Sequence, residues 1–129
     1  MQVELVSPER ILYSGEADMV IARSAGGEIA FLTGHAPFVG TLGIGRVVIR
    51  ETGGGTTVAA VHGGFVEVKD NHVTILSDVA ELADQIDTGR ARDALSRAGD
   101  DETARRRAEV RLEVAGDPAG AAAGAGAGH

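Results

Sequence analysis

Cysteine and tryptophan are absent from this chain, and it has only three prolines, three phenylalanines and one tyrosine. Without cysteine there is neither a disulfide scaffold nor a thiolate zinc site. With aromatics at 3%, Val, Ile, Leu and Ala must fill the core, which must be small. No run of about 18 apolar residues occurs, so no bilayer-spanning helix is expected. The segment Met1-Gln2-Val3-Glu4-Leu5 lacks the basic-then-apolar build of a secretory signal, so a soluble intracellular protein is expected. Bases are scarce, 12 against 19 acids for a formal net charge of −7. Nucleic acid is a poor partner for such a surface, because phosphates need a basic stripe to replace their counterions.

Glycine is abundant, 19 in 129 residues, and it punctuates the first two thirds of the chain. Short alternating runs lie between the glycines and predict strands: Val3 to Val6, Arg10 to Tyr13, Ala17 to Arg23, Glu28 to Leu32, Gly45 to Arg50, Thr57 to Val61, Phe65 to Val68 and His72 to Leu76. The breaks carry turn chemistry at Ser7-Pro8, Ser14-Gly15, Gly26-Gly27, Gly34 to Pro37, Gly53-Gly54-Gly55 and Asp70-Asn71. Many short strands with no intervening helix indicate an antiparallel β-sandwich or flattened barrel over residues 1–84. In the clearest hairpin, Val73 and Ile75 share one face while His72, Thr74 and Leu76 share the other.

Around Gln85 the period changes. Ala91, Ala94, Leu95 and Ala98 fall at i, i+3, i+4 and i+7, one stripe of an amphipathic helix. Asp87 or Thr88 can cap its start, and Gly99 stands where a left-handed C-terminal residue belongs. Asp100-Asp101 opens a second helix with Ala104, Ala108, Leu112 and Ala115 on one face. Residues 85–115 are therefore expected to form a short helical hairpin. From Ala119 to Gly128 there is only Ala and Gly, so residues 116–129 are expected to be a disordered tail. Through Asp84 there are eleven acids and five bases, whereas 85–115 has seven of each, every base an arginine. The two parts are expected to touch different surfaces.

Few residues offer chemistry. His35 sits in a turn beside Pro37, with no Ser, Cys or second carboxylate placed by sequence to complete a catalytic site. A small β-sandwich hydrolase therefore lacks its machinery. His62, His72 and His129 have neither tight spacing nor carboxylate company, so a metal site is not expected. Gly26-Gly27 and Gly53 to Gly55 lack the Lys-Ser/Thr of a phosphate loop.

Gly27-Glu28-Ile29-Ala30-Phe31-Leu32-Thr33-Gly34-His35-Ala36-Pro37, followed by Gly63-Gly64-Phe65-Val66-Glu67-Val68-Lys69-Asp70-Asn71-His72-Val73-Thr74-Ile75-Leu76-Ser77-Asp78, resembles the epsilon subunit of bacterial rotary ATP synthases. The resemblance covers about residues 1 to 115, with Ala30 where glycine is usual and Thr33 in place of a frequent proline. It implies a non-catalytic central-stalk subunit at the cytoplasmic face of the bacterial membrane, coupling c-ring rotation to the catalytic head through gamma. It places the His35, Ala36, Pro37 and Phe38 loop on the face that meets gamma, with the strand Phe65 to Val68 as a further structural or gamma-facing contact, and Glu28 beside the polar loops of the c-ring. Read from composition alone, Glu28 is a solvated turn carboxylate.

Ile86-Asp87-Thr88-Gly89-Arg90-Ala91 is similar to that family's nucleotide-binding signature, and Arg107 and Arg111 match its later arginines. The resemblance thus implies ATP as a regulatory ligand, with no cofactor required. Arg90 would offer a planar fork to phosphate oxygens, and Asp87 would accept from adenine or ribose. The plainer reading is a helix cap and a solvated arginine face. A stand-alone nucleotide-sensing module, with Asp87, Arg90, Arg107 and Arg111 as its site, is the alternative to the stalk role.

The helical stripes are mostly Ala, with Leu95 and Leu112 their only large aliphatics, so weak docking on the sandwich is expected. Helices this short are near the limit of independent stability, about 12 to 15 residues. A ligand at about 100 times its dissociation constant adds about 2.7 kcal/mol to the state it prefers, enough to reset such an equilibrium. Length opposes a strong effect. Eleven residues at about 1.5 Å each reach only about 17 Å, so the restraint of ATP hydrolysis that extended helices exert in longer family members is expected to be weak here.

Overall fold

A computed structural model describes residues 1–116; the expected tail lies outside the described residues except for Gly116. Seven strands precede two helices: β1 (Gln2–Val6), β2 (Ile11–Ser24), β3 (Gly27–Leu32), β4 (Phe38–Glu51), β5 (Thr56–Lys69), β6 (His72–Leu76), β7 (Ala80–Leu82), then α1 (Thr88–Arg97) and α2 (Glu102–Ala115). The strands run β1-β6-β5-β4-β2-β3, with β7 on β5. Because β1 also pairs with β2, the sheet closes on itself as a flattened barrel with a sandwich core. The mainly β fold class with a small helical appendage is borne out, with one addition: β1 and β6 pair in parallel.

Two gaps between predicted strands are absent. Ser14-Gly15 lies inside β2, and Gly63-Gly64 lies inside β5, each a continuous strand of 14 residues. Long strands serve both layers of a closed sheet, and glycine lets them bend where they cross from one to the other. Gly64 sits at φ +138, and a side chain there would meet the Leu76 carbonyl oxygen at 2.2 Å. The Asp70-Asn71 turn is as expected: both residues have positive φ, the requirement of a tight type I′ hairpin. β4 begins at Phe38, seven residues before the predicted strand, and β7 was not expected at all.

The interior is aliphatic, with Phe31 the largest fully buried side chain beside Leu5, Ile49, Ile75 and a group of valines. Asp87 caps α1 by accepting from the Arg90 amide, and Asp101 caps α2 by accepting from the Ala104 amide. Gly99 (φ +55) and Gly116 (φ +78) follow the helices in the left-handed conformation.

Docking of the hairpin differs from the expectation. Alongside Ala108 and Leu112, α2 buries Val110 and Val114, which pack with Ala60 of β5 among Ile44, Val58, Ala83 and Ile86. Ala94, expected on the buried stripe of α1, is exposed. Two β-branched valines one turn apart thus seat the hairpin on the sheet, a contact the alanine stripe did not reveal.

Candidate functional site

Strand register builds the first surface. Val6 pairs with Ile11 and with Leu76, Leu76 pairs with Phe65, and Phe65 pairs with Thr41. Paired residues share a face, so Ile11, Val6, Leu76, Phe65 and Thr41 form one row across five strands. Val39 lies two residues from Thr41 on the same face. Ile11, Leu76, Phe65 and Val39 are 59%, 45%, 56% and 71% exposed. Large aliphatic and aromatic side chains aligned in water on a sheet face mark a contact surface.

The His35 to Phe38 loop adjoins this row but presents different atoms from those expected. His35 packs edge-on to Phe31 at 5.1 Å, and Phe38 is tilted against Phe31 at 5.5 Å. Both rings thus reach inward toward the core, while Ala36 and Pro37 are exposed. Val39, Leu76 and Ile11 went unnoticed in the sequence, although the alternation in His72 to Leu76 already put Leu76 opposite the buried Val73 and Ile75.

Glu28 lies on β3, away from that row, and is not simply solvated. Arg46 Nε stands 3.8 Å from its carboxylate, and Arg46 Nη1 stands 3.5 Å from Glu113 of α2. One guanidinium therefore ties the β3 edge to the end of the hairpin.

Between β7 and the helices is a hollow of about 310 Å³ lined by Glu81, Gln85, Asp87, Arg90, Ala91, Ala94 and Arg111. The fold thus brings together Asp87, Arg90 and Arg111, but Arg107 does not line the hollow. Asp87 is engaged as the α1 cap, and Arg111 Nε donates to Glu81 Oε1 at 2.6 Å. Any anion bound here must compete with Glu81 for Arg111. Asp87→Ala is expected to cost the hairpin about 1 kcal/mol without any ligand, whereas Asp87→Asn should be nearly neutral because both residues cap well. Hydrogen exchange of the α1 amides checks this; equal losses in both variants would remove the capping role.

The same Glu81 oxygen lies 3.4 Å from His62 Nε2, and the His62 side chain is only 1% exposed. Its Nδ1 is buried without a hydrogen-bond partner. Burial lowers the His62 pKa below its ordinary 6.5, and the Arg111 charge lowers it further, against the opposing pull of Glu81. Among the described residues there is no group of three or more His, Asp or Glu placed to hold a metal ion. No described helix is long and apolar enough to cross a membrane.

Comparison with known proteins gives one consistent answer. Residues 1–83 match the family described as ATP synthase, Delta/Epsilon chain, beta-sandwich domain. The chain is 50% identical over 116 residues to an ATP synthase epsilon chain of Streptomyces avermitilis, covering 88% of this chain and 94% of that one. It is 41% identical over 120 residues to the epsilon chain of Bacillus pumilus, covering 89% and 91%. Among solved structures, it resembles a chain of the Euglena gracilis mitochondrial ATP synthase captured with OSCP, F1 and c-ring, with a TM-score of 0.66 at 26% identity, covering 87% of this chain and 74% of that one.

Proposed function

The chain belongs to the ATP synthase delta/epsilon family, and from that premise we propose that it works in the central stalk by being gripped along its exposed apolar row. It is a non-catalytic subunit. Gamma is the partner that fits the row. Ile11, Leu76, Phe65 and Val39 supply an apolar centre, and Glu4 and Glu67 lie on the same face as a polar surround. The c-ring is the partner assigned to Glu28, on a separate edge of the sandwich. In this arrangement the sandwich transmits ring rotation to the head, at the cytoplasmic face of the bacterial membrane. The catalytic-head subunits are secondary partners in this reading.

The row is the observation that carries this reading, and it is directly testable. Phe65→Ala is expected to weaken association with gamma about 30-fold, the size of an interface anchor of about 2 kcal/mol. Since Phe65 is exposed, the melting temperature of the isolated chain should hold. Undiminished gamma association in a Phe65→Ala, Val39→Asp double variant would refute the assignment.

A regulatory ligand is the second element of the proposal. In the hollow, Arg90 and Arg111 offer guanidinium forks to an anion such as the ATP phosphates, which would have to draw Arg111 from Glu81 and sit beside Asp87. Calorimetry with ATP, comparing wild type with Arg90→Ala, separates regulation from pure coupling. A stand-alone sensor would bind ATP and ignore gamma.

A further inference from the structure

The junction of sandwich and hairpin holds a histidine whose surroundings, on balance, favour its neutral form. His62 lies on β5, opposite Ile44 of β4. The charged groups facing it are Glu81 of β7 and Arg111 and Arg107 of α2. Glu81 Oε1 is shared between Arg111 Nε at 2.6 Å and His62 Nε2 at 3.4 Å. With the proton on Nε2, the ring donates to Glu81 and leaves only a lone pair at the buried Nδ1. A second proton would place an N–H at Nδ1 with no acceptor, and a cation beside two arginines. Both costs are tied to α2, which brings the arginines and covers the face of β5 that His62 shares with Ala60, where Val110 and Val114 are seated.

We propose that His62 is a proton-operated latch, holding the helical hairpin on the sandwich while neutral and releasing it when protonated. The device goes beyond the stalk assignment and operates whichever partner grips the apolar row. The sign follows from linkage. In the released state the ring meets water and titrates near its ordinary 6.5; in the docked state its pKa is lower. Docking is therefore fully supported above about pH 6.5 and loses support as pH falls from there toward the docked pKa. One proton changes the docked-to-released ratio by at most about tenfold per pH unit. Release also frees Glu113 from Arg46, so the edge bearing Glu28 would lose its tie to the hairpin in the same step.

Native-state hydrogen exchange on the full chain reads this ratio directly, with rates corrected for intrinsic exchange. Between pH 7.5 and 5.5 the protection of the Val110, Leu112 and Val114 amides should fall up to about tenfold, while that of Val66 and Ile75 in the sandwich holds. In His62→Gln, which keeps a donor toward Glu81 but takes no proton, α2 protection should not change over the same range. Equal α2 protection at both pH values in wild type, or the same fall in His62→Gln, would overturn the latch. Should His62→Gln fail to fold, the wild-type His62 ring resonance decides. Titration clearly below 6.5 supports the proposal, and titration at or above 6.5 overturns it.

Discussion

Gly64→Ala is expected to lower the melting temperature of the sandwich by about 15–30 °C, from a loss of about 4 kcal/mol. Two independent penalties meet at this position. The backbone holds φ +138, which L-residues rarely adopt, and the new methyl would fall 2.2 Å from the Leu76 carbonyl oxygen. That oxygen belongs to backbone, so no side-chain rotation relieves the overlap. Gly53 provides the internal control, because it too has a positive φ, +105, but nothing lies within 4 Å of an added carbon. Gly53→Ala should therefore cost only the conformational strain, about 1 kcal/mol. Thermal unfolding of the two variants separates the terms, and similar losses would show that the close approach at Gly64 carries no weight. Gly64 precedes Phe65, which pairs with Leu76, so surviving Gly64→Ala protein should also hold gamma poorly.

The sequence exposed most of the strand content and little of its continuity. Alternation found the pairing of Phe65 to Val68 with His72 to Leu76, because Val66, Val68, Val73 and Ile75 are buried and their neighbours are not. Gly15 and Gly63-Gly64 misled, since the flexibility that makes glycine a turn residue also lets a long strand bend without ending. The first residues of β4 were missed because Pro37, Gly40 and Gly43 blur the alternation around Val39 and Thr41. The candidate sites divide in the same way. Asp87 and Arg90 are local, since a cap and its helix lie within four residues of one another. The apolar row is only partly local: Phe65 and Leu76 meet within the hairpin, but Ile11 and Val39 join them only once β2, β1 and β4 are in register. His62 was the least legible, since its burial and its neighbours come from β7 and α2, 19 and 49 residues downstream. Val110 and Val114 had a readable signal, two branched apolar residues at i and i+4, eclipsed by the alanine stripe beside them.

Val110→Asp is expected to unseat the hairpin completely and leave the sandwich standing. Val110 is fully buried against Ala60, with Ile44, Val58, Ala83 and Ile86 around it. An aspartate there would lose the valine's burial, about 1.5–3 kcal/mol, and would carry a charge into an apolar seat. Release is the cheaper outcome, because the ionised carboxylate then reaches water and only the hairpin's own contacts are lost. Helices of 10 and 14 residues have little stability away from the sheet, so helical circular dichroism should fall with docking. The sandwich core is a separate cluster built on Phe31, Leu5, Ile49 and Ile75, and its amides should keep most of their protection. Cooperative loss of the whole fold would show that sandwich and hairpin are one unit, and it would leave no independent element for a proton or a nucleotide to release. If the sandwich persists and still binds gamma at wild-type strength, coupling resides in the apolar row and the hairpin is free to serve regulation.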